Sequence, residues 1–282
     1  MEQSKDNKII PMTSINSGKV RELMPNVHYF TNQIVNLVMI ALPKGEWVLV
    51  DAGMPKSSNE IIRVAEELFG MDKAPLAIIL THGHFDHVGS IVDLVEKWNA
   101  PVFAHTLEFP FLTGLQAYPE PDTSVEGGIL AKISSYYPNE PIDIKNCLQA
   151  LPIDNSVPFL EEWQWIHIPG HSPGQIALFR ERDRVLISAD AIITVRQDSM
   201  YKVLLQTIEI CGPPVYLTTD WSDAFQSVKR LIDLNPNILI PGHGTAMHGE
   251  ELNAGLQKLL EEWDETSVPK YGKWVTQNYK NI

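Results

Sequence analysis

The sequence predicts an α/β fold in the form of a four-layer αββα sandwich. A short pattern, in which one strand ends at an aspartate and a later strand ends at a histidine-bearing loop, occurs twice with a helix in between. The first copy runs from 48–50 through Asp51 to 78–80, and the second runs from 185–187 through Asp190 to 238–240. Two matching halves, each a sheet with helices on one side, would pack sheet against sheet.

We therefore expect one domain over residues 1–282, with halves at about 25–105 and 160–262. The residues between the halves, at about 106–160, show little regular periodicity but many prolines and aromatic side chains. Long irregular connections in compact domains are often functional lids. This segment is predicted to be a lid-like insertion. The alternative is a segment that packs on the domain without contacting a substrate.

Local patterns define the elements of the first half. Strands are predicted at about 27–31, 35–42 and 46–51, the last two joined by a turn at 43–46. A helix is predicted over 59–69, because apolar residues recur on one face and Gly70 follows it. The apolar run 76–80 predicts a buried strand, after which Thr81 begins a loop.

The second half repeats these elements. A helix is predicted near 222–234, between the apolar strands at 185–187 and 238–240. At the C-terminal end, leucines and Trp263 form one helical stripe over 250–263, which predicts a helix packed on the core.

Composition narrows the class of protein. The chain has 35 acidic and 22 basic residues and a formal net charge of −13, which disfavours binding to nucleic acid. Only Cys147 and Cys211 are present, too few for a disulfide framework, and a reducing compartment is expected. No apolar leader follows the polar N-terminus, and no stretch reaches the ~18 apolar residues of a membrane span. We therefore expect a cytoplasmic protein without membrane association.

A dense group of metal-binding side chains follows the strand at 76–80. His82, His84, Asp86 and His87 lie within six residues of one another. Imidazole nitrogens and carboxylate oxygens suit zinc, and a loop leaving a rigid strand can direct alternate side chains to one place. We expect His82 and His84 to share one ion and Asp86 and His87 to reach a second.

Three further candidates each lie just beyond a strand end. They are His171 in Pro-Gly-His-Ser, Asp190 after the strand at 185–187, and His243 in Pro-Gly-His-Gly. Such positions present a ligand rigidly to a cleft. Because one carboxylate has two oxygens, Asp190 is the predicted bridge between two ions. Taken one at a time, each of the three is more simply explained as an ordinary loop residue.

The chain resembles the metallo-β-lactamase superfamily over about residues 25–262. The resemblance runs through five motifs that occur in the family's order and spacing: Asp51 in Val-Asp-Ala-Gly, the His82–His87 cluster, His171 in Pro-Gly-His-Ser-Pro-Gly, Asp190 in Ser-Ala-Asp, and His243 in Pro-Gly-His-Gly-Thr.

The resemblance implies a role for each of these residues. It implies that His82, His84 and His171 bind one metal, that Asp86, His87 and His243 bind the other, and that Asp190 bridges them. It also implies that Asp51 holds ligands through hydrogen bonds; a turn residue at a strand end is the alternative.

The resemblance also implies the chemistry. Two Zn2+ ions would supply hydroxide and polarise a carbonyl group. Mn2+, Fe2+ or Co2+ would also suit histidine and aspartate ligands. Asp86 and Asp190 are the predicted catalytic residues, with Asp86 orienting the nucleophile and moving a proton. Relatives that perform redox chemistry at two irons carry an acid where this chain has His84, which favours hydrolysis.

The expected reaction is the opening of a small carboxylic ester or lactone, including an acyl-homoserine lactone. A thioesterase of the hydroxyacylglutathione hydrolase type is the alternative, disfavoured because no separate helical domain is recognisable after 250–263. A non-catalytic metal-binding protein is the second alternative. A small molecule is the expected partner, and either a monomer or a homodimer is compatible with the sequence. Predicted pocket residues are the aromatic side chains of 106–160 together with Arg196, Tyr201 and Tyr216.

Overall fold

The computed structural model of the chain describes residues 1–3, 13–126 and 128–275. It contains two compact units. The first unit comprises Met1–Tyr118 and Pro138–Glu161, and the second comprises Pro119–Tyr137 and Glu162–Ile282. Within the described residues, no helix has the length and apolar character needed to span a bilayer.

The first unit is built on a mixed sheet that has seven strands among the described residues, in the sequential order β1 to β7. The strands are β1 (Val20–Met24), β2 (Val27–Asn32), β3 (Val35–Ala41), β4 (Trp47–Val50), β5 (Ile78–Ile79), β6 (Val102–Ala104) and β7 (Leu148–Ala150). Strands β1 to β4 pair antiparallel, and β4 to β7 pair parallel. The predicted strands and the turn at 43–46 are confirmed with end shifts of one or two residues.

Helices of the first unit are α1 (Ser58–Phe69), α2 (Phe85–Val88), α3 (Ile91–Trp98) and α4 (Phe109–Leu112). The predicted helix at 59–69 is confirmed as α1. Its apolar face buries Ile61, Val64 and Ala65 in the same core as Leu49 and Trp47. Burying a large apolar side chain stabilises a fold by about 1.5–3 kcal/mol, so this face holds the helix on the sheet.

The second sheet has six strands in the part of the chain that the structure describes, in the order β13-β12-β11-β10-β9-β8. These strands are β8 (Ser156–Val157), β9 (Leu160–His167), β10 (Ile176–Arg180), β11 (Val185–Ala189), β12 (Ile238–Pro241) and β13 (Met247–His248). The helices of the second unit are α5 (Gly128–Ile133), α6 (Met200–Leu205), α7 (Trp221–Asp233), α8 (Gly249–Glu261) and α9 (Trp263–Thr266). The helices predicted near 222–234 and 250–263 are confirmed as α7 and α8.

The repeated sequence pattern corresponds to a repeated structure. Strands β4 and β5 are parallel and joined through α1, and β11 and β12 are parallel and joined through α7. The carboxyl ends of parallel strands lie at the same sheet edge. In each unit the residues that follow these ends are therefore brought together, and the predicted α/β class with two sheets is confirmed.

The segment at 106–160, predicted to lack regular structure, contains α4, α5, β7 and β8. Its elements are short, and β7 is largely exposed, so that hydrophobic periodicity gave no signal for them. The segment does not stay in one unit, because 119–137 belongs to the second and 138–161 to the first. The predicted role as a lid stays a prediction.

Candidate metal centre

The first unit gathers the four predicted ligands of the loop after β5. The side chains of His82, His84, Asp86 and His87 are all buried. The ring centroid of His82 lies 4.8 Å from that of His84 and 4.1 Å from that of His87. Metal-binding atoms of these neighbours lie within 4.8 Å of one another, as do those of Asp86 and His87. Three imidazoles and a carboxylate so close together are costly to desolvate, and a bound cation would offset that cost.

Asp51 organises this cluster from the end of β4. Its Oδ1 accepts a hydrogen bond from the Thr81 amide at 2.8 Å, and its Oδ2 accepts one from Thr81 Oγ1 at 2.8 Å. The same Oδ2 lies 2.8 Å from Nδ1 of His87. The buried carboxylate thus joins the loop to the neighbouring strand end.

A count of protons assigns the tautomers of two rings. An ionised carboxylate only accepts, so His87 donates from Nδ1 to Asp51. The single proton of Thr81 Oγ1 is donated to Asp51, and the hydroxyl therefore accepts from Nδ1 of His82 at 3.1 Å. In the neutral form of each ring the lone pair then lies on Nε2, the nitrogen that can bind a metal.

The second unit gathers the other three predicted ligands. Oδ2 of Asp190 lies 3.4 Å from Nε2 of His171 and 3.3 Å from Nε2 of His243. All three residues are at most 2 % exposed. One carboxylate oxygen between two imidazole nitrogens is the arrangement expected of a bridging ligand.

His171 has the same tautomer as His82 and His87. The Thr218 hydroxyl donates its proton to the carbonyl oxygen of Pro214 at 2.8 Å. It therefore accepts from Nδ1 of His171 at 3.3 Å, which leaves the lone pair on Nε2, towards Asp190. The preceding Gly170 has a φ of 126° and lies so close to α7 that a Cβ there would be 2.3 Å from the Ala224 amide nitrogen, so a larger residue would displace the turn.

Gly242 allows the close approach of the loop after β12 to Asp190. Its amide donates to the carbonyl oxygen of Ala189 at 2.8 Å. A Cβ on Gly242 would lie 2.1 Å from Oδ1 of Asp190, far inside van der Waals contact. The Pro-Gly-His motif therefore needs glycine at this position to set His243 beside the carboxylate.

The donor set fits a divalent metal. Tetrahedral coordination with bonds of about 2.0–2.1 Å separates ligand atoms by about 3.3 Å, which matches the two separations from Asp190. Imidazole nitrogen and carboxylate oxygen suit zinc, iron, manganese or cobalt. Each unit thus contains buried metal-binding atoms, and hydrogen bonds orient His82 and His87 in the first unit and His171 in the second. Thr81 and Thr218 were missed at the sequence level, because a threonine carries no signal for this role.

The three pocket residues predicted after Asp190 have different surroundings. Arg196 pairs with Asp198 at 2.9 Å and with Glu209 at 3.5 Å. Tyr201 is 71 % exposed on α6, whereas Tyr216 is buried. Their contact with a substrate stays a prediction.

A cavity of about 260 Å³ lies within the first unit beside residues 81–87, here called the histidine loop. Gly83 and Phe85 of that loop form part of its wall, together with Phe111, Tyr118 and residues 138–142. The volume lies near the lower end of ligand pockets in proteins, about 300–1,000 Å³. The cavity is of a size for a small molecule.

Neither cysteine has the properties of a nucleophile. Burial raises the pKa of the Cys211 thiol far above its usual range, and burial also raises that of Cys147. A thiol with a raised pKa is protonated at neutral pH and unreactive. Covalent catalysis by cysteine is therefore not supported.

Comparisons with known proteins show the family. The model of the metallo-beta-lactamase superfamily matches residues 31–243. "Probable metallo-hydrolase YflN" of Bacillus subtilis is 46% identical over 252 residues, covering 89% of this chain and 96% of the relative. "Hydroxyacylglutathione hydrolase GloC" of Haemophilus influenzae is 22% identical over 197 residues, covering 69% of this chain and 81% of the relative.

Solved structures show the same fold. A β-lactamase domain protein from Burkholderia ambifaria aligns with a TM-score of 0.61 at 19% identity, over 93% of this chain and 80% of that one. TTHA1623, solved in a di-iron-bound form, aligns with a TM-score of 0.51 at 26% identity, over 85% of this chain and 94% of that one. The predicted fold is thereby confirmed, and the chain belongs to the metallo-β-lactamase superfamily as a metallo-hydrolase.

Proposed function

We propose that the two clusters together hold two divalent metal ions and that the protein hydrolyses a small carboxylic ester or lactone. The single observation that carries the proposal is the position of Asp190, whose Oδ2 lies between Nε2 of His171 and Nε2 of His243. The tautomers of His82, His87 and His171, each with Nδ1 as the donor, support the same conclusion.

The assignment of ligands follows the family pattern. His82, His84 and His171 would bind one ion, Asp86, His87 and His243 would bind the other, and Asp190 would bridge them. Zinc is the proposed metal. Iron is the alternative, supported by the di-iron form of the related TTHA1623. When bound, the ions would supply hydroxide at neutral pH and polarise the carbonyl oxygen of the substrate.

The chain's own residues would orient the reactants and move the proton. Asp86 is buried beside His87, and its carboxylate would orient the hydroxide, accept its proton once the new carbon–oxygen bond has formed, and deliver that proton to the leaving oxygen. Asp51 and Thr81 would keep His82 and His87 in the required tautomer. The cavity beside Gly83 would take the acyl part of a small substrate.

A thioesterase is the second candidate, supported by the similarity to hydroxyacylglutathione hydrolase GloC. Thioesters, esters and lactones all present a carbonyl carbon to the same nucleophile, so the metal site alone does not choose between them. The leaving group is what distinguishes these reactions.

Metal analysis and turnover test the proposal together. Protein purified without chelator is expected to contain about two equivalents of metal. It should hydrolyse a lactone, an aryl ester or a glutathione thioester, and chelation should abolish that turnover. Asp190→Asn should lower both metal content and turnover, whereas Asp264→Asn, which changes a carboxylate outside both clusters, should alter neither.

The outcomes separate the alternatives. A higher kcat/KM for the thioester than for the lactone would select the thioesterase. Two bound metals with no turnover across all three substrate classes would indicate a metal-binding protein without catalysis. One equivalent or none, unchanged after metal addition, would refute the binuclear site.

A further inference from the structure

Glu108 is a fully buried carboxylate in the first unit, and it is hydrogen-bonded to Gly83 of the loop that carries His82 and His84 and to Tyr118. Its Oε2 accepts a hydrogen bond from the Gly83 amide at 3.0 Å and another, short one from the Tyr118 hydroxyl. Burying an ionised carboxylate costs several kcal/mol unless hydrogen bonds compensate. The hydrogen bonds from Gly83 and Tyr118 therefore stabilise the buried carboxylate of Glu108, and they also fix the positions of Gly83 and Tyr118.

Tyr118 contacts the same loop in two ways. Its Oη lies 2.9 Å from the Gly83 amide, which is thus shared between the phenol and the carboxylate of Glu108. Its ring packs on the imidazole of His84, with centroids 4.3 Å apart, and stacks on Phe111 at 3.9 Å. The tyrosine therefore fixes both the peptide group that joins His82 to Gly83 and the plane of the His84 ring.

Glu108 and Tyr118 both contact the amide of Gly83. Gly83 lies between His82 and His84, so the orientation of its peptide sets the direction of both imidazoles. A Cβ there would lie 2.8 Å from Oη of Tyr118 and 3.2 Å from Leu112. The contact is so close that a rotation of this peptide would collide with Tyr118 or break the hydrogen bond to Glu108.

From this geometry we propose that Glu108 and Tyr118 are positioning residues that hold His82 and His84 ready to bind metal. The inference rests on the proposed metal site. Neither residue needs to contact metal or substrate for this role. Outer hydrogen-bonding partners of metal ligands typically contribute about 10–100-fold to metal affinity, and Glu108 and Tyr118 are such partners through Gly83.

Cobalt binding to the metal-free full-length protein tests the inference without relying on activity. Variants Glu108→Gln and Tyr118→Phe keep the shape of each side chain and remove its charge or hydroxyl. Each is expected to bind Co2+ at one site about 10–100-fold more weakly and to change the visible absorption spectrum of the bound ion. Because both act on one amide, the double variant should lose less than the product of the single effects.

Tyr29→Phe is the matched control. Tyr29 is buried in β2 of the same unit, with Arg21 over its ring, and the substitution likewise removes one phenolic hydroxyl. It should leave the cobalt affinity and spectrum unchanged. If Glu108→Gln fails to fold, Tyr118→Phe decides the question, since it keeps the packing on His84 and Phe111.

Two results would overturn the inference. One is wild-type affinity and an unchanged spectrum in both variants. The other is a loss no larger than that of Tyr29→Phe. Both presuppose that the unmodified protein binds two ions; if it binds none, the proposed function fails instead, so the two failures are distinguishable.

Discussion

Oδ2 of Asp51 lies 2.8 Å from Nδ1 of His87, and the same oxygen accepts the proton of the Thr81 hydroxyl. One buried carboxylate thereby assigns the tautomers of two histidines, directly for His87 and through Thr81 for His82. The relationship connects the end of β4 to the loop after β5, and it exists because these parallel strands end at the same sheet edge.

Asp51→Asn is expected to weaken metal binding by about 10–100-fold, because an amide cannot accept all three hydrogen bonds. Asparagine tolerates the positive φ of 63° at this position, so the backbone should be retained. The control is Asp72→Asn, a positive-φ aspartate whose carboxylate forms an exposed ion pair with Lys97. Calorimetric titration of metal into the metal-free proteins measures the affinity of each variant. Equal affinities of Asp51→Asn and Asp72→Asn would contradict the role given to Asp51.

Gly242→Ala should displace Asp190 from its position beside His171 and His243, because the new methyl would lie 2.1 Å from Oδ1 of Asp190. We expect less than one equivalent of tightly bound metal and loss of turnover. Gly249→Ala is the control: its Cβ meets nothing within 4 Å, and only the φ of 68° adds strain, about 1–2 kcal/mol. Metal content by mass spectrometry compares the two. Full occupancy in Gly242→Ala would show that Asp190 is not constrained as the structure indicates.

Thr218→Val should weaken metal binding through His171, since it removes the acceptor for Nδ1 of His171 while keeping the volume. A loss of about tenfold in affinity is expected, with a fall in kcat. Thr266→Val removes a hydroxyl that bonds the carbonyl oxygen of Glu262 and a neighbouring serine, and it should leave the metal affinity unchanged. Parallel metal titrations measure the affinity of the two variants. If both variants lose the same affinity, the effect of Thr218→Val is a general destabilisation and not a loss of the hydrogen bond to His171.

Asp122→Asn should change how stability depends on pH. Burial alone would raise the pKa of Asp122, but hydrogen bonds from Ser124 and from the Lys273 amide lower it below its usual value. A depressed pKa in the folded state stabilises the protein above the unfolded pKa, and this contribution is lost as pH falls through the folded value. The variant should thus melt below wild type at pH 7, and the difference should shrink below about pH 4.

Thermal unfolding of both proteins at pH 7, 5 and about 3, under identical metal-free conditions, measures this difference. Asp154→Asn is the control. Its carboxylate also has a lowered pKa, through Ser156, but it is exposed and bonds only within its own turn. A melting difference for Asp122→Asn that grows on acidification would reverse the expected sign and contradict the assignment.

Much of the fold was predictable, because strands and helices with a buried face carry a strong hydrophobic period. Strands β3 and β4 and helix α1 are of this kind, and their predicted bounds needed shifts of one or two residues. Strand β1 was missed because no position in it is fully buried, and β7 because it is short and largely exposed. Edge strands of this kind are defined by pairing with a neighbour, which a local pattern does not show.

The sequence by itself determined which side chains are candidates for the metal, since each follows a strand end in a turn-forming motif. Tertiary structure decided what orients them. Glu108 reaches the Gly83 amide across 25 residues of chain, and Thr218 reaches His171 across 47. Partners so distant are selected by packing rather than by periodicity, because a buried carboxylate or hydroxyl is stable only where a folded backbone supplies its hydrogen bonds.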